Sequence, residues 1–170
     1  MAGSLLLALP LGQVLGQQRL SSPEYVLKAA FIYKFALFTT LPNAPAKKNL
    51  TLCILGRDPF GATIDELDGK EVDAATLSVR RIASATAKAN CQILFVAESE
   101  VTSYLSSTTP GKDDIGILTI TDKEGAARQG IMIELSTADK KLGFEFNQDV
   151  ARSNQVQISS KLLRLARKVY

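Results

Sequence analysis

Leu50-Thr51-Leu52-Cys53-Ile54-Leu55-Gly56-Arg57-Asp58-Pro59-Phe60-Gly61 is the stretch on which the fold turns. Its first six residues form a short apolar run bounded by turn formers, the pattern of a buried strand. Gly56 ends the run. Asp58 and Pro59 then read as the N-cap and first position of a short helix, which continues to about Leu67 and stops at Asp68-Gly69.

The same alternation continues downstream. Val72–Arg80, Gln92–Val96, Ile115–Thr121 and Ile131–Leu135 read as further strands. Between them lie helical turns or short helices at Ser84–Lys88, Ser99–Ser106 and Asp122–Arg128. Leu142–Asn147 is a sixth strand, paired as a hairpin with the fifth through the turn at Asp139-Lys140. The expectation is an α/β fold. It is a single layered domain whose mixed, mostly parallel sheet of about six strands is flanked by helices. No repeat, linker or low-complexity stretch divides the chain, so one domain is expected over 17–170.

Upstream, a helix is expected from Ser22 to Thr40. Ser21 or Ser22 caps it, Pro23 and Glu24 suit its first turn, and Pro42 and Pro45 stop it. Its apolar residues fall on two stripes, Val26/Ala29/Ala30/Tyr33/Leu37 and Leu27/Phe31/Phe35/Phe38. A helix lying on one core needs a single stripe. The second is either buried within the domain or left for a partner to cover. Tyr33 and Phe38 are therefore candidate partner contacts. At the other end, Ile158, Leu162, Leu165, Ala166 and Val169 are spaced as the inward face of a final helix from Ser159 to Tyr170.

Composition excludes much chemistry. The chain has 170 residues, 20 basic and 17 acidic, and contains no histidine. Imidazole acid–base catalysis, serine or cysteine nucleophiles activated by histidine, and histidine-ligated metals are all ruled out. The charge balance is too even for nucleic-acid binding. The cations Lys161, Arg164, Arg167 and Lys168 suit the solvated end of the last helix. Gly56 and Gly61 suggest a phosphate loop, but Ala62 and Thr63 stand where a Walker motif needs Lys and Ser or Thr, so structural capping is the better reading. The carboxylates Asp65, Glu66, Asp68 and Asp73 fit a helix end and turn rather than a catalytic pair. No catalytic set, cofactor motif or metal cluster emerges.

Phe144-Glu145-Phe146-Asn147 alternates. If the phenylalanines face the core, Glu145 and Asn147 share the other face. They are either ordinary half-buried strand residues or candidate polar contacts for a partner. Cys53 and Cys91 have no C-x-x-C neighbour, which excludes a thioredoxin-like or structural zinc site. They are joined in an oxidising compartment or buried as free thiols in the cytoplasm. Leu5-Leu6-Leu7-Ala8-Leu9-Pro10-Leu11, followed by small residues with Val14 and Gly16 at the cleavage positions, has the character of a signal peptide over 1–16. No Lys or Arg precedes that run, so the leader is either weak or begins upstream of Met1.

Several segments together resemble the YfiR family of small bacterial periplasmic proteins. They are Glu24–Phe35, Leu52–Gly61, Cys91–Val96, Gly143–Asn147 and Ile158–Arg167, in family order. The resemblance implies an α/β domain able to form a homodimer in the periplasm. It implies that Cys53 and Cys91 form a disulfide. It also implies a non-enzymatic role, binding and repressing the periplasmic sensor region of a membrane diguanylate cyclase, with an outer-membrane lipoprotein relieving the repression. The first helix departs from the family pattern, with Leu37 before Phe38 and Leu41 before Pro42. A second disulfide of the family has no counterpart here, because the chain has only these two cysteines. The competing reading is a periplasmic module for a small ligand or peptide.

Overall fold

The structure, a computed structural model, describes residues 22–42 and 49–170. The expected leader at 1–16 and the stop at Pro45 lie outside them. Helix α1 spans Pro23–Leu37, with Pro23 in its first turn and Glu24 at the positive end of its dipole. It ends before the expected Thr40, because Thr39–Thr40 is extended as a short strand, β1.

Strand β2, Asn49–Leu55, follows. Asp58 does not cap a helix. Its carboxylate accepts the Phe60 N–H at 2.7 Å in a local turn, and helix α2, Ala62–Asp65, begins only after Gly61. The expected Val72–Arg80 strand is a hairpin. Strand β3, Glu71–Val72, turns through Asp73 at φ 51° into β4, Ala75–Ile82. Asp tolerates that left-handed geometry because its short side chain can bond locally. A 3₁₀ segment at Ala85–Asn90, capped by Ser84, leads to β5, Ile93–Val96. A 3₁₀ turn at Glu98–Glu100 opens α3, Val101–Ser107. Then come β6 (Leu118–Thr121), α4 (Ala126–Gln129), β7 (Ile133–Ala138) and β8 (Lys141–Phe146).

The end of the chain corrects the expectation most. Helix α5, Gln148–Ser153, occupies a stretch with no predicted element. Strand β9, Gln157–Ile158, pairs antiparallel with β1. In place of one long final helix there is a single turn, α6 (Ser160–Leu163), and then strand β10, Lys168–Val169, which pairs parallel with β8. Leu162 is buried as expected, but Leu165 is 72% exposed and Val169 is exposed too.

Among the described residues the main sheet has eight strands in the order β10-β8-β7-β6-β5-β2-β4-β3. From β4 through β7 every pairing is parallel, and the antiparallel β7–β8 hairpin was anticipated. Strands in such a sheet are buried on both faces. β2 shows this directly. Leu52 and Ile54 join the core under α1 with Ile32, Phe35, Phe60, Phe95 and Phe144, while Cys53 and Leu55 join a smaller core under α3 with Leu94, Val101 and Tyr104. Edge-to-face ring contacts bind the larger core, Phe35 to Phe144 at 5.1 Å and Phe60 to Phe95 at 4.7 Å.

Candidate functional site

Helix α1 buries Ala29, Ile32, Phe35 and Ala36 against the sheet. Both predicted stripes are therefore split, each giving one part to the core and one part to the surface. Val26 (50%), Leu27 (46%) and Phe38 (42%) are exposed, and Phe31 and Leu37 are half-buried. Tyr33 is half-buried, and its hydroxyl donates to the Glu71 carbonyl at 2.7 Å, tying α1 to β3. Apolar side chains thus remain on the outer side of the helix from Val26 to its C-cap Phe38, with the exposed Lys34 among them. Scattered apolar side chains are normal on a protein surface, and it is a contiguous apolar patch that marks an interaction site.

The inward face of α1 also carries a cation. Lys28 is buried, and its Nζ lies 2.7 Å from Asp122 and 2.8 Å from Glu24. Asp122 also accepts the Tyr25 hydroxyl at 2.9 Å. Burial pulls the Lys28 pKa down, yet its hydrogen bonds to Asp122 and Glu24 outweigh that and leave it raised. Burial, followed by the charge of Asp122, pushes the Tyr25 phenol up to about 12. A buried charge needs such partners. Sequence reasoning passed over this group. The available signal was that Lys28 adjoins Ala29 and lies four residues before Ile32, on the buried side of the helix.

Asp122 follows β6, and the group borders two clefts at the carboxyl ends of the strands. One, of about 460 Å³, is lined by Tyr25, Arg57, Pro59, Glu98, Ser99 and Lys123 among others. The second, of about 490 Å³, lies toward β7 and β8, with Glu24, Glu134, Glu145 and Arg167 in its walls. Both are open clefts with charged walls rather than closed apolar pockets.

The polar pair predicted on β8 separates. Glu145 is half-buried beside the second cleft and accepts a hydrogen bond from the Tyr170 hydroxyl. Asn147 lies beyond the end of the strand and is only 8% exposed. Its Oδ1 accepts the Val150 N–H at 2.9 Å, capping α5, and its Nδ2 donates to the Ala127 carbonyl at 2.7 Å. The amide is committed at both ends to its own chain. Tyr33 on α1 and Phe38 at its C-cap are thus not brought together with Asn147 into one surface.

Cys53 and Cys91 are joined, with Sγ atoms 1.99 Å apart. The bridge lies on the sheet face opposite α1, buried, with Arg80 Nη2 at 3.7 Å and 3.5 Å from the two sulfurs. It ties β2 to the residue that leads into β5. Among the described residues no group of side chains is arranged to hold a metal ion, and no helix is long and apolar enough to cross a membrane.

A family described as YfiR/HmsC-like matches residues 25–167. No curated protein matches the chain. Among solved structures, a conserved domain protein from Vibrio cholerae O1 biovar El Tor is similar, with a TM-score of 0.51 and 10% identity. The match covers 88% of this chain and 60% of that one, so the chain spans less than two thirds of that protein's length. At such identity the likeness is one of fold alone.

Proposed function

The chain belongs to the YfiR/HmsC-like family, and from that premise we propose that it is a periplasmic regulatory protein. In this reading it binds the sensor region of a membrane-bound diguanylate cyclase, represses it and lowers cyclic-di-GMP signalling. The protein acts by occupancy rather than by catalysis. An outer-membrane lipoprotein that captures the same surface would relieve the repression, and a homodimer is the form in which the regulator would work.

The observation that carries the reading is the outer face of α1 in a chain of this family. Val26, Leu27 and Phe38 remain exposed although the helix already buries a full stripe against the sheet. Phe38 and Tyr33 are the proposed contacts at one end of that face, with Glu145 a polar contact from β8. The buried Cys53–Cys91 bridge supports an oxidising compartment, where such bonds persist.

The test is a pull-down from membrane extract with the purified protein as bait. It should recover an integral membrane protein carrying a cyclase domain. Phe38→Asp and Leu27→Asp should each reduce that recovery about tenfold or more, because a buried aromatic or aliphatic anchor carries much of an interface's energy. Each side chain is still partly covered, so the unfolding midpoint of each variant is measured alongside and recovery is compared between folded proteins. Recovery of no integral membrane protein, or undiminished recovery by both variants, overturns the reading.

A further inference from the structure

The order of the strands makes one place in this sheet different from the rest. From β2 the chain crosses to β4 on one side, and later extends through β5, β6 and β7 on the other. The two connections also leave over opposite faces. After β2 it packs Phe60 and Ile64 into the core under α1, whereas after β5 it packs Val101 and Tyr104 into the core under α3. Where neighbouring parallel strands send their chains apart, a crevice opens at their carboxyl ends, and open α/β sheets place ligands there.

The cleft of about 460 Å³ stands at this point, between Arg57-Asp58-Pro59 after β2 and Ala97-Glu98-Ser99 after β5. Its volume suits a small molecule. Its charges are mostly cancelled from within. Asp122 holds Lys28 at 2.7 Å, and Glu98 holds Lys123 at 3.1 Å. Arg57 is exposed at the cleft and, among the described residues, has neither an ion pair nor a hydrogen bond. Gly56 sets that position. Its φ is +87°, and a Cβ there would stand 2.3 Å from Glu100 Cγ, so the backbone turns out of β2 tightly against the next segment. Lys28 is shared by Asp122 and Glu24, and Glu100 Oε1 lies 3.3 Å from the Cβ position of Gly56. What distinguishes Arg57 is that its guanidinium alone among the cleft's cations is held by no carboxylate among the described residues. Its planar fork matches a carboxylate or phosphate.

We propose that this crevice binds a small anionic ligand, a carboxylate or a phosphate ester, with Arg57 as its principal anchor. Tyr25 supplies one wall, and Ser99, whose hydroxyl donates to Glu100 at 3.2 Å, lines the opposite side. The site is separate from the outer surface of α1, although Tyr25 adjoins Val26 and Leu27 on that helix, so a bound ligand would sit one residue from the proposed docking surface.

The experiment is an amide and arginine side-chain NMR titration of the oxidised full chain. Inorganic phosphate and succinate are the two probes, each against sodium chloride of equal ionic strength. Saturable shifts confined to Gly56, Arg57, Glu98, Ser99 and Lys123 are expected, and the stronger probe identifies the ligand class. Arg57→Gln should weaken binding about tenfold or more, and Arg57→Lys less. Arg152→Gln, at a side chain 70% exposed elsewhere, should leave it unchanged. Absence of saturation with both probes, or binding by Arg57→Gln within about twofold of the parent, overturns the proposal. The membrane pull-down is unaffected by Arg57→Gln, so failure here and failure of the regulatory reading are told apart.

Discussion

Arg167 lies flat across Gly143, so closely that a Cβ at 143 would stand 2.3 Å from its Nε. From there its Nη1 donates to the Ser136 carbonyl and hydroxyl at 3.1 Å each, and its Nη2 reaches the Lys141 carbonyl. Its own N–H donates to Phe144 at 2.8 Å. One arginine thereby clamps the β7–β8 hairpin and starts β10 alongside it.

Gly143→Ala should displace that guanidinium and destabilise the fold by about 1–3 kcal/mol, the cost of overpacking a tight contact. Urea denaturation of the single variant, of Arg167→Ala and of the double variant measures the coupling. The double variant should be more stable than the sum of the single losses. Simple additivity would show that the contact does not matter.

Asp122→Asn removes the charge that faces Lys28 and Tyr25. Lys28 and Asp122 have side chains only 6% and 7% exposed, so the lysine would keep a buried charge with Glu24 as its remaining partner. Breaking a buried pair in this way costs about 3 kcal/mol. The denaturation midpoint should fall accordingly, and a loss below about 1 kcal/mol would place the pair in the weak, solvent-screened class.

Alkaline pH should unfold the protein earlier than surface charges alone require. Burial and then the charge of Asp114 hold the Tyr104 phenol above its ordinary value, as burial and Asp122 do for Tyr25. Lys28 is likewise raised. Each group keeps a proton in the folded chain that the unfolded chain releases, so the folded state binds more protons and stability falls as pH rises. For these groups stability is complete below their ordinary values of 10.0 and 10.5 and declines through the folded values above them. Thermal unfolding from pH 8 to 11.5 should show a plateau and then a fall from about pH 10. The fall should be shallower in Tyr104→Phe, whatever that variant's baseline, and an identical slope would remove Tyr104 from the account.

The Cys53–Cys91 bridge closes a separation of 38 residues. In the chain-entropy description such a loop contributes about 4 kcal/mol. Replacing both cysteines with alanine should lower stability by roughly that amount, and reductant should mimic the loss in the parent but not in the variant. Protein recovered from living cells should carry no free thiol, and finding both thiols free would contradict the proposed periplasmic location.

Much of the fold can be read from local sequence where burial is complete. β5 is a short unbroken apolar run between turn formers and β2 is nearly one, the usual pattern of a parallel strand covered on both faces. The segment Ser159–Tyr170 misleads because Leu162, Leu165, Ala166 and Val169 carry helical spacing throughout, whereas from Arg167 on the backbone is claimed by β8. There Arg167 and Tyr170 donate to Phe144 and Phe146 at 2.8 Å each, and tertiary pairing overrides periodicity. Asn147 misleads for a related reason. Alternation along Phe144-Glu145-Phe146 continues through it on paper, but the strand stops one residue earlier and the side chain turns back as a cap. Arg57 and the Tyr25–Lys28–Asp122 group depend on contacts between distant elements, with no spacing rule to bring them together.

β10 has a further consequence for the molecule's life at high concentration. By lying along β8 it occupies backbone groups between Phe144 and Phe146 that would otherwise face outward beside two large aromatic residues. A chain clipped after Arg164 would present that ladder bare, and bare ladders recruit strands from neighbouring molecules. β10 is in this sense a stopper against polymerisation.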